Sequence, residues 1–152
     1  MNDTKYYLID ASKKPLGRVA TQAATLLMGK NDPNYAANVV AKNLVIIINS
    51  DKLYLTGTKE LSKKYYRHSG YPGGIKETDF ADLKKTDSTE IMKKAVRGMI
   101  PHNRLESELL KHLKIFKGSD HSFAKEKLEE VHPVKSDKVG LREAKFNGVN
   151  ND

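Results

Sequence analysis

The chain has 152 residues, no cysteine, 27 Lys and Arg against 19 Asp and Glu, and a formal net charge of +8. That length suits one domain and is short for two, and the missing thiol excludes disulfides, thiolate metal sites and cysteine nucleophiles. An anionic partner is the first expectation, nucleic acid before membrane or acidic protein, although solubility alone accounts for a charge of about 2–8.

Taken from the start, Met1-Asn2-Asp3-Thr4-Lys5-Tyr6 carries no signal-peptide pattern, and the longest apolar run, Leu44 to Ile48, is too short to span a bilayer. The expectation is a soluble, cytoplasmic protein. Tyr6 to Asp10 (YYLID) reads as a strand, followed by a turn at Ser12 to Pro15. Leu16, Val19, Ala20, Ala23 and Leu27 then fall at helical spacing over 16–28, with Gly29 where a C-terminal cap glycine belongs. The small alanines let that helix lie close on a sheet. Leu44 to Asn49 (LVIIIN) has the continuous apolar character of a central strand covered on both faces, and a parallel crossover from the first strand follows.

Lys52 to Leu55 (KLYL) predicts a short alternating strand, and Thr78 to Lys85 a short helix. A stronger helix runs from an Asp87 or Ser88 cap to about Gly98, with Ile91, Met92, Ala95, Val96 and Met99 on one face and Lys93, Lys94 and Arg97 on the other side. Pro101 ends it. A third helix over 104–112 hands over to a strand at Leu113 to Phe116, closed by Gly118. Strands alternating with helices predict an α/β fold: a single compact domain, a mostly parallel sheet flanked by helices, and an extended basic loop. The domain is expected over 1–131, with 132–152 a polar, mobile tail. Charge divides in the same sense, +6 over 1–75, +3 over 76–118 and −1 over 119–152.

The basic loop is Lys63 to Lys76, KKYYRHSGYPGGIK, with three tyrosines, four Lys/Arg and no acid. Tyr71-Pro72-Gly73-Gly74 is turn chemistry, but a turn requires none of the flanking charge or aromatics. Arg67 can donate two hydrogen bonds to a phosphate, lysines attract it, and tyrosine faces stack on bases. The competing reading is a hairpin strand whose Tyr65 and Tyr66 alternate in and out, one of them simply core. A second basic stretch, Lys93 to Arg104 (KKAVRGMIPHNR), is about as well explained by a solvated helix face. Arg18 and Lys30, at either end of the first helix, carry less weight still.

Signals for chemistry are weak. No Walker motif, G-x-G-x-x-G, His-Glu-x-x-His or Gly-x-Ser-x-Gly is present, and the five histidines show no metal-ligand spacing. No catalytic residue, metal or cofactor is expected. The alternative is a nucleotide- or RNA-processing enzyme using polar groups near Asp10 and Asn49-Ser50, where parallel sheets offer a crevice at their strand ends.

YYLIDA, PLGRVA, LLMGK, VIIINSDKLYLTG, YYRHSGYPGG, AVRGMIP-HNRL and LKIFKG occur in this order over residues 5–125. Together they resemble the large-ribosomal-subunit protein L-thirteen family of bacterial type. The resemblance implies a structural, non-enzymatic protein of the large subunit. It would bind large-subunit (23S-type) rRNA early in assembly, among neighbouring ribosomal proteins, with no membrane or small-molecule substrate. The RNA-facing candidates it implies are Arg67, His68, Ser69, Gly70, Tyr71, Pro72, Gly73 and Gly74, then Arg97, Gly98, Met99, Pro101 and Arg104. Gly17, Arg18, Gly29 and Lys30 fall on the pattern of the first helix. With the basic and aromatic neighbours read from the residues themselves, Lys63, Lys64, Tyr66, Lys76, Lys93, Lys94 and His102 complete the candidate set.

Three departures from the family pattern carry expectations. Asp32 replaces positive charge in the 30–43 stretch, which weakens any RNA contact there. Glu106 and Ser107 do the same after Pro101. Asn103 stands where the family has glycine and is expected to take the same left-handed conformation.

Overall fold

The computed structural model describes residues 4–123 and 126–131. Strand β1 (Lys5–Asp10) leads into helix α1 (Leu16–Leu27), which returns the chain to β2 (Asn43–Ile48). A one-turn helix α2 (Lys59–Ser62) precedes a hairpin of β3 (Lys64–His68) and β4 (Ile75–Asp79). Then come α3 (Phe80–Arg97), α4 (Glu106–Lys111), β5 (Leu113–Ile115) and β6 (Leu128–Glu130). The main sheet has the order β5-β2-β1-β6 with every pairing parallel, so the α/β architecture expected from the sequence is the one found.

Alternation along the strands builds the core. Tyr7 and Ile9 of β1 and Val45 and Ile47 of β2 point to one face, where Val19, Ala20, Ala23, Ala24 and Leu27 of α1 cover them. Ile91, Met92 and Val96 of α3 complete that layer, and all of these side chains are buried. The alanines bring α1 close to the sheet, as their size requires. On the opposite face Ile46 is also fully buried, which explains why β2 is apolar without alternation. Tyr6, Phe116, His121 and Phe123 gather there, with ring centroids 6.2–6.4 Å apart.

Gly29 follows the end of α1 with φ +75°, the left-handed cap expected, and a Cβ there would lie 2.6 Å from that of Ala41. The 30–42 loop is thereby closed down on the helix end. Asp32 tethers it further by pairing with Lys5 Nζ at 2.5 Å, and Asn31 donates to the Tyr7 hydroxyl at 2.8 Å. The Asp32 carboxylate also raises the Lys5 pKa.

Several expectations need correction. Lys52 to Leu55 is no strand: a 3₁₀ turn covers Ser50–Lys52, and only an isolated bridge joins Tyr54 to Pro15. Thr78 and Asp79 close β4, so the helix assigned to 78–85 starts at Phe80. It runs straight on into the next one through a kink at Asp87, whose φ/ψ of −151°/92° is extended. Asp87 caps the second half all the same, accepting from the Thr89 N–H at 3.1 Å and its hydroxyl at 2.7 Å. Those bonds, the Thr89 hydroxyl first, hold its carboxyl below the usual range. Asn103 has no positive φ. Its side chain shapes the turn instead, accepting from the Leu105 N–H at 3.0 Å. The tail expected over 132–152 lies outside the described residues.

Candidate nucleic-acid interface

The basic loop is an antiparallel hairpin whose register decides which side chains act together. Lys64 faces Asp79, Tyr66 faces Glu77 and His68 faces Ile75 on one side; Tyr65 faces Thr78 and Arg67 faces Lys76 on the other. At the tip Gly74 N–H donates to Tyr71 O at 2.9 Å, and Gly73 has φ +73°, which is the type II turn that Pro72-Gly73 specifies. Ser69 N–H donates to Gly74 O and Gly70 N–H to His68 Nδ1, both at 2.9 Å. Tyr71 projects from this turn, three-quarters exposed.

Both readings of the tyrosine pair contain part of the answer. Tyr65 turns inward, half-buried against the body, and burial raises its hydroxyl pKa. Tyr66 turns outward and is 64% exposed. Tyr65 is no inert core residue, however. Lys63 Nζ stands 5.4 Å and Lys94 Nζ 5.3 Å from its ring centre, so one ring gathers a cation from the hairpin base and another from α3.

A continuous cationic surface results. Arg67 and Lys76 sit directly opposite each other on the Tyr65 side of the hairpin, and Lys63 and Lys94 follow at its base. Lys63 also lines a groove with Lys59, Arg18, Thr21, Leu55 and Met99, where the Thr21 hydroxyl donates to Met99 Sδ at 3.3 Å. Arg18, Lys63, Lys76, Arg67, Lys94 and Met99 thus come together from three separate stretches of sequence. Among the described residues Arg18, Lys59, Lys63, Arg67 and Lys76 take part in no ion pair. Two cations opposed across a hairpin repel each other, an arrangement that favours an external anion.

Other candidates are placed less favourably. Lys64 lies on the opposite side of the hairpin, bound to Glu77 at 2.9 Å, and that bond raises its pKa. Lys94 shares its charge with Glu90 at 2.9 Å. Lys93, Gly98, Pro101 and Arg104 are exposed and do not line the groove. Lys30 lies past the far end of α1, whose last residue Leu27 is about 13–14 Å along the helix axis from Arg18 at 1.5 Å per residue. Arg97 and His102 are both held by Glu106, through Arg97 Nε to Oε1 at 2.5 Å and His102 Nδ1 to Oε2 at 3.1 Å. The Arg97 bond, then that of His102, lowers the Glu106 pKa. Sequence reading missed this clamp because the partners are four and nine residues from Glu106 across a turn, and missed Lys59 because its helix is a single turn.

The strand-end polar groups, the candidates for an enzyme, satisfy one another. Asn49 Nδ2 and Ser12 N–H donate to Asp10 Oδ1 at 3.0 and 2.9 Å, and Ser50 Oγ meets Ser88 Oγ at 2.9 Å while Ser88 also donates to Asp51. Burial pushes the Asp10 carboxyl up, but the Ser12 and Asn49 hydrogen bonds and Lys14 hold it below its ordinary value, which unfits it for proton transfer near neutrality. Among the described residues no cluster of three His, Asp or Glu is arranged to hold a metal ion, and no helix is long and apolar enough to cross a membrane.

The large ribosomal subunit protein uL13 of Carboxydothermus hydrogenoformans is 48% identical over 127 residues, covering 84% of this chain and 89% of the relative. That of Bifidobacterium adolescentis is 50% identical over 119 residues, 78% and 79% of the two chains. That of Psychrobacter cryohalolentis is 47% identical over 116, covering 76% and 82%. The family profile described as Ribosomal protein L13 matches residues 4–122, and the chain belongs to that family.

Proposed function

We propose that this chain is a non-catalytic, structural constituent of the large ribosomal subunit, which binds large-subunit rRNA and supports early assembly of the particle. Its mechanism is charge neutralisation at fixed positions. Arg67, Lys76 and Lys63, joined by Lys59 and Arg18, replace counterions along the RNA backbone, while the hairpin ladder and its packing on α3 hold them in place. The observation that carries this reading is the cross-strand pair Arg67 and Lys76. Two like charges directly opposed on a hairpin, neither with an ion-pair partner among the described residues, suit a phosphate backbone better than they serve the fold. Tyr71 at the tip offers a stacking face.

The test is association. The protein should sediment with large subunits through moderate salt and carry rRNA with it on purification, and its depletion should cause incomplete large subunits to accumulate. Recovery of the protein only in the soluble fraction, free of rRNA, overturns the proposal.

A further inference from the structure

The two faces of the hairpin differ in chemistry. The face shared by Arg67 and Lys76 carries two positive charges and no acid. The opposite face carries Lys64, Glu77 and Asp79, with Lys64 neutralised by Glu77 and its pKa raised further by Asp79. Tyr66, directly opposite Glu77, and Ile75, one step nearer the tip, are 64% and 62% exposed on this face. An isoleucine projecting from a two-stranded ribbon gains nothing from water and supports no core. A phosphate backbone fits this face poorly, because Glu77 and Asp79 would repel it and the one lysine is already paired.

We infer that the Tyr66–Ile75–Glu77 face is a protein-docking surface that takes a lysine- or arginine-bearing segment of another large-subunit protein. An apolar side chain or alkyl stem of that segment packs on Tyr66 and Ile75, and its cationic head meets Asp79, the acid left over once Lys64 is paired with Glu77. The hairpin then stands as a wedge between RNA on one face and protein on the other. This rests on the ribosomal reading above, but the two claims fail separately. His68 joins the docking face and the tip, since its Nδ1 is occupied by Gly70 N–H.

The experiment places p-benzoylphenylalanine at one position at a time in the full-length chain, Ile75→p-benzoylphenylalanine or Lys76→p-benzoylphenylalanine, and irradiates assembled large subunits. The partner peptide is sequenced. Position 75 should cross-link to a Lys/Arg-containing segment of another large-subunit protein, and position 76 to rRNA. A cross-link from position 75 to rRNA, to a segment without basic residues, or to nothing overturns the docking surface. Failure of position 76 to reach rRNA counts against the RNA reading instead. As a second measure, Ile75→Ser should leave affinity for naked rRNA within about twofold, since no counterion is involved. Its retention in assembled subunits during a salt wash should fall several-fold, and unchanged retention also overturns the docking surface.

Discussion

Replacing Arg67 and Lys76 together by alanine should weaken RNA binding without weakening the fold. The two side chains oppose each other on one hairpin face, and neither has an ion-pair partner among the described residues. Each phosphate contact contributes about 0.7–0.9 to the slope of log affinity against log salt, so losing two should flatten it by about 1.4–1.8. Between about 50 and 200 mM salt, ~7- to 12-fold of the affinity lost by the parent protein should no longer be lost by the variant. Stability should stay level or rise, because like charges facing each other across strands are unfavourable. Lys64→Ala is the control: its ammonium is bound to Glu77 on the other face, so its slope should barely move. Filter binding to large-subunit rRNA over a salt series, with thermal melts, reads both quantities. An unchanged slope in the double variant, or an equal effect from Lys64→Ala, refutes the assignment of the cationic face.

Glu106→Gln should increase both RNA affinity and its salt slope, by about one contact, because it releases Arg97 and His102, and titration against rRNA checks this. The lowered Glu106 pKa means its stabilising contribution is present above the ordinary value of 4.5 and lost as pH falls through the folded value. The stability difference between Glu106→Gln and the parent should therefore close in acid, as followed by urea melts across pH. Gly29→Ala combines a disfavoured left-handed conformation with a clash against Ala41 and should cost about 2–4 kcal/mol by chemical denaturation. Asp87→Ala removes the cap at the kink of α3 and should cost about 0.5–2 kcal/mol in the same assay.

How much of this was legible in the sequence depended on the range of the signal. Periodicity marked α1 and the second half of α3, because their buried faces repeat at helical spacing, and the apolar run of β2 announced a strand covered twice. Gly29 and Asp87 were readable as caps because capping is local chemistry. Strand β6 was not readable: Leu128-Glu129-Glu130 pairs with β1 through backbone bonds at a sheet edge, which ask nothing of side-chain pattern. Lys52 to Leu55 had the alternation of a strand but found no ladder, since Ser50 binds Ser88 and turns the chain toward α3. The residue types of the basic loop were visible, whereas its two faces were not, because only the hairpin register assigns Tyr66 and Arg67 to opposite sides.

The departures at Asp32 and Glu106 bear on where binding strength resides. Each removes positive charge by composition, yet structure shows that each does more. Asp32 consumes Lys5, and Glu106 consumes Arg97 and His102 with its two oxygens. A cation already bound to a carboxylate releases few counterions on meeting a phosphate, and breaking its pair costs part of what the new contact returns. Formal charge therefore overstates the attraction of the segment after α3 and understates the contrast with the hairpin. Among the described residues Arg67, Lys76 and Lys63 remain without ion pairs, and Tyr65 holds Lys63 by its ring, which leaves the ammonium's charge intact. Aromatic anchoring orients a cation without spending it, whereas a salt bridge does both. On that difference, in the function proposed the hairpin and the groove at its base would carry most of the electrostatic grip on RNA, and the Glu106 clamp would make the neighbouring segment a weaker, pH-sensitive contributor.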